Sequence, residues 1–143
     1  MARRASVLAC IGLALVLLGC GSSGPPFEPV DAAEDLAVVY IYRTQRFGGA
    51  NRPAVKIDGR QVARLVPMGY SAHRIRPHRV TISGASTDFV NEKQDSLVID
   101  AEAGATYYVR GRLGTGRYVG APVLTLVDEE TGSREIRRCR RVE

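Results

Sequence analysis

The sequence predicts a mainly β fold, an antiparallel β-sandwich with a short C-terminal helix. Three observations carry that expectation. From Leu36 onward, short runs rich in β-branched and aromatic residues recur, and such residues suit a pleated, half-buried surface. Turn signals separate these runs about every ten residues, the spacing of sandwiches and open barrels. Asp58-Gly59 sits between two alternating segments, where a two-residue type I′ turn needs positive φ at both positions. No internal repeat and no coiled-coil heptad runs through the chain.

Before that fold stands a segment of another kind. Arg3 and Arg4 form a positive start, residues 5–18 are apolar apart from Ser6 and Gly12, and Gly19 and Cys20 follow. A run of about 14 apolar residues is too short for a transmembrane helix, which needs roughly 20. The stretch Leu17-Leu18-Gly19-Cys20 resembles the lipobox of bacterial lipoproteins. The resemblance implies a diacylglyceryl group on the Cys20 sulfur and signal peptidase II cleavage between Gly19 and Cys20. An ordinary secretory signal and an uncleaved anchor are the competing readings. In the lipoprotein class an Asp after the cysteine retains the protein in the inner membrane. Gly21 stands there instead, which implies the periplasmic side of the outer membrane. The expected organisation is a signal peptide over 1–19, a tether over 20–35 and a sandwich domain over 36–143. Gly21, Ser22, Ser23, Gly24, Pro25, Pro26 and Pro29 make the tether flexible and extended, with no packed core of its own.

The strands follow in order. Residues 37–43 read as a period-two strand, with Val39 and Ile41 on one side and Val38, Tyr40 and Tyr42 on the other. Residues 44–53, with Gly48, Gly49, Asn51 and Pro53, read as a loop. Residues 54–57 and 60–65 form the hairpin around Asp58-Gly59; Val55 and Ile57 face the core, and Val62 and Leu65 join its edge. Pro67-Met68-Gly69 turns the chain into a strand over 70–75, which Pro77 ends. Residues 79–84 form the next strand, with Val80 and Ile82 inward. Residues 86–96 are polar and read as a long turn before a strand at 97–100. Gly104 separates that strand from one at 106–110. The Gly111-Arg112-Leu113-Gly114-Thr115-Gly116 stretch reads as a loop or bulge. Residues 118–127 give the last strand, with Pro122 at an edge or bulge. Asp128, Thr131 or Ser133 is positioned to cap a helix running through Cys139, with Ile136 and Cys139 on its inner face.

Composition narrows the function classes. Removing the first 19 residues leaves 124 of 143, which suits one domain. Loss of Arg3 and Arg4 lowers the net charge from +5 to +3, and 18 of the 20 basic residues are Arg. That bias fits a GC-rich genome, and an extracytoplasmic protein does not meet the chromosome, so no nucleic acid partner is expected. Arg137, Arg138, Arg140 and Arg141 form the one dense basic patch: a solvated tail, or a contact with anionic headgroups or peptidoglycan carboxylates. Cys10 leaves with the signal and Cys20 is lipidated, so Cys139 is the one free thiol and no intrachain disulfide is expected. It is either buried or paired with another chain.

The search for chemistry returns little. His73 and His78 flank a turn without a placed carboxylate or thiolate, so no metal site is expected. Asp58 reads as a turn residue, and Asp100 and Glu102 as partners for an Arg across the sheet. Ser71, Ser83, Ser86 and Ser96 sit in no nucleophile elbow. The glycine-rich stretch at 111–116 precedes no helix able to hold phosphate. No catalytic residue and no cofactor is expected. The remaining cluster is Tyr40, Tyr42, Arg43, Tyr107, Tyr108 and Arg110. Tyrosines on adjacent strands stack across a sheet for roughly 0.2–1 kcal/mol per pair. Strand neighbours alternate, so an outward tyrosine beside Arg43 or Arg110 is the candidate binding face. Core packing is the competing reading.

The order of these motifs resembles a family of small bacterial lipoproteins defined only as a domain of unknown function. The residues that carry it are Tyr40-Ile41-Tyr42-Arg43, Val55-Lys56-Ile57-Asp58-Gly59, Leu65, Gly69-Tyr70, Pro77-His78-Arg79-Val80 and Ala103-Gly104-Ala105-Thr106-Tyr107-Tyr108-Val109. The layout is also similar to PEGA-type surface modules, although Pro77 is followed directly by His78 where members often carry Pro-Gly. The resemblance spans residues 36–127. It implies an Ig- or transthyretin-like sandwich on a lipid anchor and no established activity. Three functions stay open: a non-enzymatic envelope or binding module partnered by another envelope protein or peptidoglycan; a small-ligand or glycan binder using the Tyr/Arg face; and, third, an enzyme with an unrecognised site. Oligomeric state is not readable from the sequence.

Overall fold

In a computed structural model of the chain, residues 22–86, 94–115 and 120–142 are described. The signal segment with Gly19 and Cys20, residues 87–93 of the polar turn, and Gly116 and Tyr118 lie outside the described residues. The elements are β1 (Ala37–Arg43), β2 (Ala54–Ile57), β3 (Arg60–Arg64), β4 (Gly69–Ile75), β5 (Arg79–Ala85), β6 (Gln94–Asp100), β7 (Thr106–Leu113), β8 (Pro122–Val127), α1 (Glu129–Ile136) and β9 (Arg140–Arg141). They form two open sheets, ordered β8-β7-β1-β4-β9 and β3-β2-β5-β6. The mainly β sandwich with one short C-terminal helix is the observed fold.

Period-two patterning builds the layer between the sheets. Ala37, Val39 and Ile41 of β1 and Val109 of β7 face Val55 and Ile57 of β2, Val80 and Ile82 of β5 and Ile99 of β6. The Asp58-Gly59 turn takes the expected positive φ values, 49° and 80°, and joins β2 to β3 in an antiparallel hairpin. Pro67 and Met68 make the second turn, with Met68 at φ 54°. Pro122 opens β8, an edge strand of its sheet, where a missing N–H costs no ladder bond.

Several expectations need correction. Two pairings are parallel, β1 with β7 and β4 with β9, so the first sheet is mixed. β6 begins at Gln94 rather than Leu97, because residues 94–96 pair with β5 in register despite their polarity. Gly111, Arg112 and Leu113 extend β7 instead of forming a loop: they pair with β8, and the Leu65 side chain occupies the space a Cβ on Gly111 would need. α1 starts as expected, with Asp128 accepting from the Thr131 N–H, but ends at Ile136, before Cys139. Arg140 and Arg141 are a strand rather than a solvated tail.

The largest correction concerns the tether. Residues 22–35 are docked on the domain. Ser22 donates its N–H to the Pro67 carbonyl at 3.3 Å and its hydroxyl to the Met68 carbonyl at 2.7 Å. Pro26 bridges Arg140, and the Val30 N–H donates to the Tyr40 hydroxyl at 2.7 Å. Glycine and proline give this segment no core of its own, yet Phe27, Val30 and Ala32 find one on the sheet beneath. The segment is a strap. It runs from the Pro67-Met68 end of the sandwich to the opposite end, where the chain turns back into β1. Among the described residues the folded unit therefore includes residues 22–35 as well as the stretch from Leu36 onward.

Candidate functional site

Two places hold the residues on which a functional reading turns: the outer face of the β1 sheet, and the end of the sandwich where the strap begins.

Val38, Tyr40 and Tyr42 project from β1 away from the inter-sheet layer, as alternation requires. Tyr70 of β4 and Tyr108 of β7 flank them. Tyr40 stacks on Tyr108 at 5.2 Å and 26°, and Phe27 of the strap meets Tyr40 and Tyr70 edge-on at 5.3 and 5.2 Å. These offset and T-shaped arrangements suit the ring quadrupoles. The sheet strands bring Tyr40, Tyr42 and Tyr108 together, but under cover. The strap lies over Tyr40 and Tyr70, while α1 lies over Tyr108. Gly132 makes that approach possible, because a Cβ there would collide with the Tyr108 ring. Tyr40, Tyr42 and Tyr108 are 2, 1 and 7 % exposed, so they form a second core rather than an open binding face.

The other candidates are dispersed around it. Tyr107 projects to the opposite face of its sheet, donates to the Asp100 carbonyl and accepts from the Glu102 N–H, both at 3.0 Å. Arg110 donates to Glu135 at 3.0 Å, and Tyr42 donates to the other Glu135 oxygen at 2.7 Å. Burial and the Glu135 carboxylate push the Tyr42 phenol well above its usual range. Cys139 is buried beside them, and burial, then the Glu135 charge, pushes its thiol up to about 12. A thiol so raised is a poor nucleophile at neutral pH.

Arg43 is fully buried and faces no carboxylate among the described residues. Its guanidinium donates to the carbonyls of Asn51 at 3.1 Å, Leu65 at 2.9 Å, Gly48 at 3.3 Å, and Phe47. Burial, then nearby Arg52, lowers its pKa from the usual arginine value. Carbonyl dipoles from four loop residues solvate this cation, and in return it fastens loop 44–53 to the sheet. Its role in the structure is architectural.

His73 and His78 have separate partners. His73 pairs with Ser71, and burial lowers its pKa. His78 donates through Nδ1 to the Arg76 carbonyl and through Nε2 to Asp58, each at 2.7 Å. Both nitrogens face acceptors, so the cation is favoured and the pKa is raised, chiefly by Asp58. Asp58 also accepts from the Thr81 N–H, which holds its carboxyl below the usual range. Asp100 pairs with Arg79 across the sheet as expected, whereas Glu102 lies in the following turn. Among the described residues no group of three or more His, Cys, Asp or Glu could hold a metal ion. No helix among them is long and apolar enough to cross a membrane.

The second place was legible only in part: Arg140 and Arg141 belong to the basic patch read from the sequence, while Arg52, Arg64 and the strap were not connected with it. At the Ser22 end, Arg52 and Arg141 and the strap line a cleft of about 840 Å³. Arg64 donates to the Arg52 carbonyl at 3.3 Å, and Arg140 to the Gly24 carbonyl at 3.4 Å. All four arginines are exposed. Ion pairs among the described residues involve only His78, Arg79, Arg110 and Arg134 on the basic side, so these four have no carboxylate partner there. The signal available in sequence was the Arg137–Arg141 cluster; its meeting with Arg52 and Arg64 depends on β9 pairing with β4.

A family model described as "Protein of unknown function (DUF2846)" matches residues 33–121. The match includes β1 to β7 and the last three residues of the strap, while residues 22–32, β8, α1 and β9 fall outside it. No curated protein and no solved structure matches the chain.

Proposed function

The chain belongs to the DUF2846 family of proteins of unknown function, and from that premise we propose that it is a lipid-anchored, non-enzymatic module of the bacterial cell envelope. The anchor is Cys20, exposed by cleavage after Gly19 and acylated. The observation that carries this reading is the Leu17-Leu18-Gly19-Cys20 stretch at the end of a short apolar run; Ser22, two residues past Cys20, is hydrogen-bonded to the turn at Pro67 and Met68. An acyl chain on Cys20 therefore holds the folded domain against the bilayer directly. One chain alone gives marginal binding, and two or three give stable anchoring. The partner is another envelope protein or peptidoglycan, met by surfaces away from the anchored end, on the periplasmic side of the outer membrane.

The alternative, a glycan or small-ligand binder using the Tyr/Arg face, requires the strap to lift, since Tyr40, Tyr42, Arg43 and Tyr108 are covered. The test is Cys20→Ala in the native cells, combined with crosslinking. We expect the variant domain to stay folded, to leave the membrane fraction and to lose its envelope partner. Persistent membrane association would sink the anchored reading.

A further inference from the structure

We propose that the strap end of the sandwich is a basic seat for anionic phospholipid headgroups, which fixes how the domain stands on its membrane. This rests on the anchored reading for the source of the lipid, but the surface itself is argued from the fold. Ser22 is clamped to the Pro67-Met68 turn, and two residues of chain span at most about 7 Å. On the anchored reading the lipid is therefore attached two residues of chain from this clamp. A free 16-residue tether would let the domain tumble; a two-residue one does not.

The end so placed carries Arg52, Arg64, Arg140 and Arg141, all exposed and without a carboxylate partner among the described residues. They come from the loop before β2, from β3 and from β9, three places in sequence that only the fold unites. Planar guanidinium forks suit phosphodiester oxygens. Each basic side chain near an anionic surface adds attraction that salt screens within about a Debye length. The opposite end is mixed in sign: exposed Arg60, Arg74 and Arg76 stand there among Asp58, Asp100 and Glu102, and Asp58 and Asp100 pair with His78 and Arg79. What sets the strap end apart is that its four arginines gather around one cleft, which Arg52, Arg141 and residues 22–25 line. Peptidoglycan carboxylates are the competing anion, but they are not tied to Cys20.

The test uses the protein extracted from its own membrane, with its intact mass reporting whether Cys20 carries lipid. It is reconstituted into phosphatidylcholine vesicles with and without phosphatidylglycerol, and arginines are footprinted with phenylglyoxal. We expect labelling of Arg52, Arg64, Arg140 and Arg141 to slow about tenfold when phosphatidylglycerol is present, with Arg60 and Arg79 unchanged. High salt should reverse the protection. Equal labelling on both vesicle types, or protection by isolated peptidoglycan alone, overturns the seat even if Cys20 is lipidated. Protection of the four arginines in protein whose mass shows no lipid upholds the seat and overturns the anchor.

Discussion

The two faces of β1 are buried by different means. Its inner face, Ala37, Val39 and Ile41, meets a second sheet whose own strands alternate. Its outer face, Val38, Tyr40 and Tyr42, meets no sheet. A strap without regular structure and an eight-residue helix cover it instead. The inner layer is aliphatic and self-patterned, whereas the outer layer is aromatic and assembled from both ends of the chain. Burial on both sides thus need not mean two equivalent walls. One wall is a second sheet; the other is a strap and a helix, and local opening of that cover with the sandwich intact is the outcome to test.

That difference can be broken at its stronger side first. Ile82→Ala in the inner layer should cost about 3 kcal/mol, read as a lower denaturant midpoint with one cooperative transition. A cost below 1 kcal/mol would mean that the two sheets do not share a close-packed core. Phe27→Ala should cost less, about 1–2 kcal/mol, and should act locally. Amide exchange over residues 22–30 is expected to accelerate while that of β2, β5 and β6 stays slow. If all strands accelerate together, the strap is part of the same cooperative unit and the contrast between the layers fails. The same variant tests the covered Tyr/Arg face: no glycan binding after release would remove the alternative function.

The smallest expected effect is Tyr42→Phe, which deletes the hydroxyl bonded to Glu135 and should cost about 1 kcal/mol. It also carries a pH signature. Tyr42 and Cys139 both titrate higher in the folded chain than their ordinary values of 10.0 and 9.0. The stability they contribute is complete below the unfolded values and is lost as pH rises toward the folded ones, about 12 for Cys139. Wild-type protein should therefore weaken above pH of about 9. Tyr42→Phe and Cys139→Ala should flatten that decline, measured as denaturant midpoints at neutral and alkaline pH. An unchanged slope in both variants would show that neither group is held as described.

What could be read beforehand follows the same division. The hairpin at Asp58-Gly59, the inward Val80 and Ile82, and the Asp128 cap rest on local chemistry, and each is found where expected. The strap was hidden because Gly24, Pro25, Pro26 and Pro29 speak only of a segment without its own core; nothing local announces that Phe27 will pack between two distant tyrosines. A clue did exist in β1, whose apolar residues occupy both parities, the mark of a strand covered on both sides. Arg43 misled for a related reason. A charged residue after Tyr42 reads as surface, and only four loop carbonyls gathered by the fold make its burial tolerable. The basic end needed β9, a two-residue strand that no periodicity reveals.

The pairing of β1 with β7 bears on how the chain becomes this structure. Val38 must wait for Thr106, and the strand's outer face must wait for Ile136. The most buried strand is made first and completed last. Loop-closure entropy for such distant partners slows the approach to the native state, and an apolar, unpaired β1 is a hazard for association while it waits. Until the stretch that carries β7, β8 and α1 arrives, β1 thus lacks both its parallel neighbour and the helical part of its outer cover.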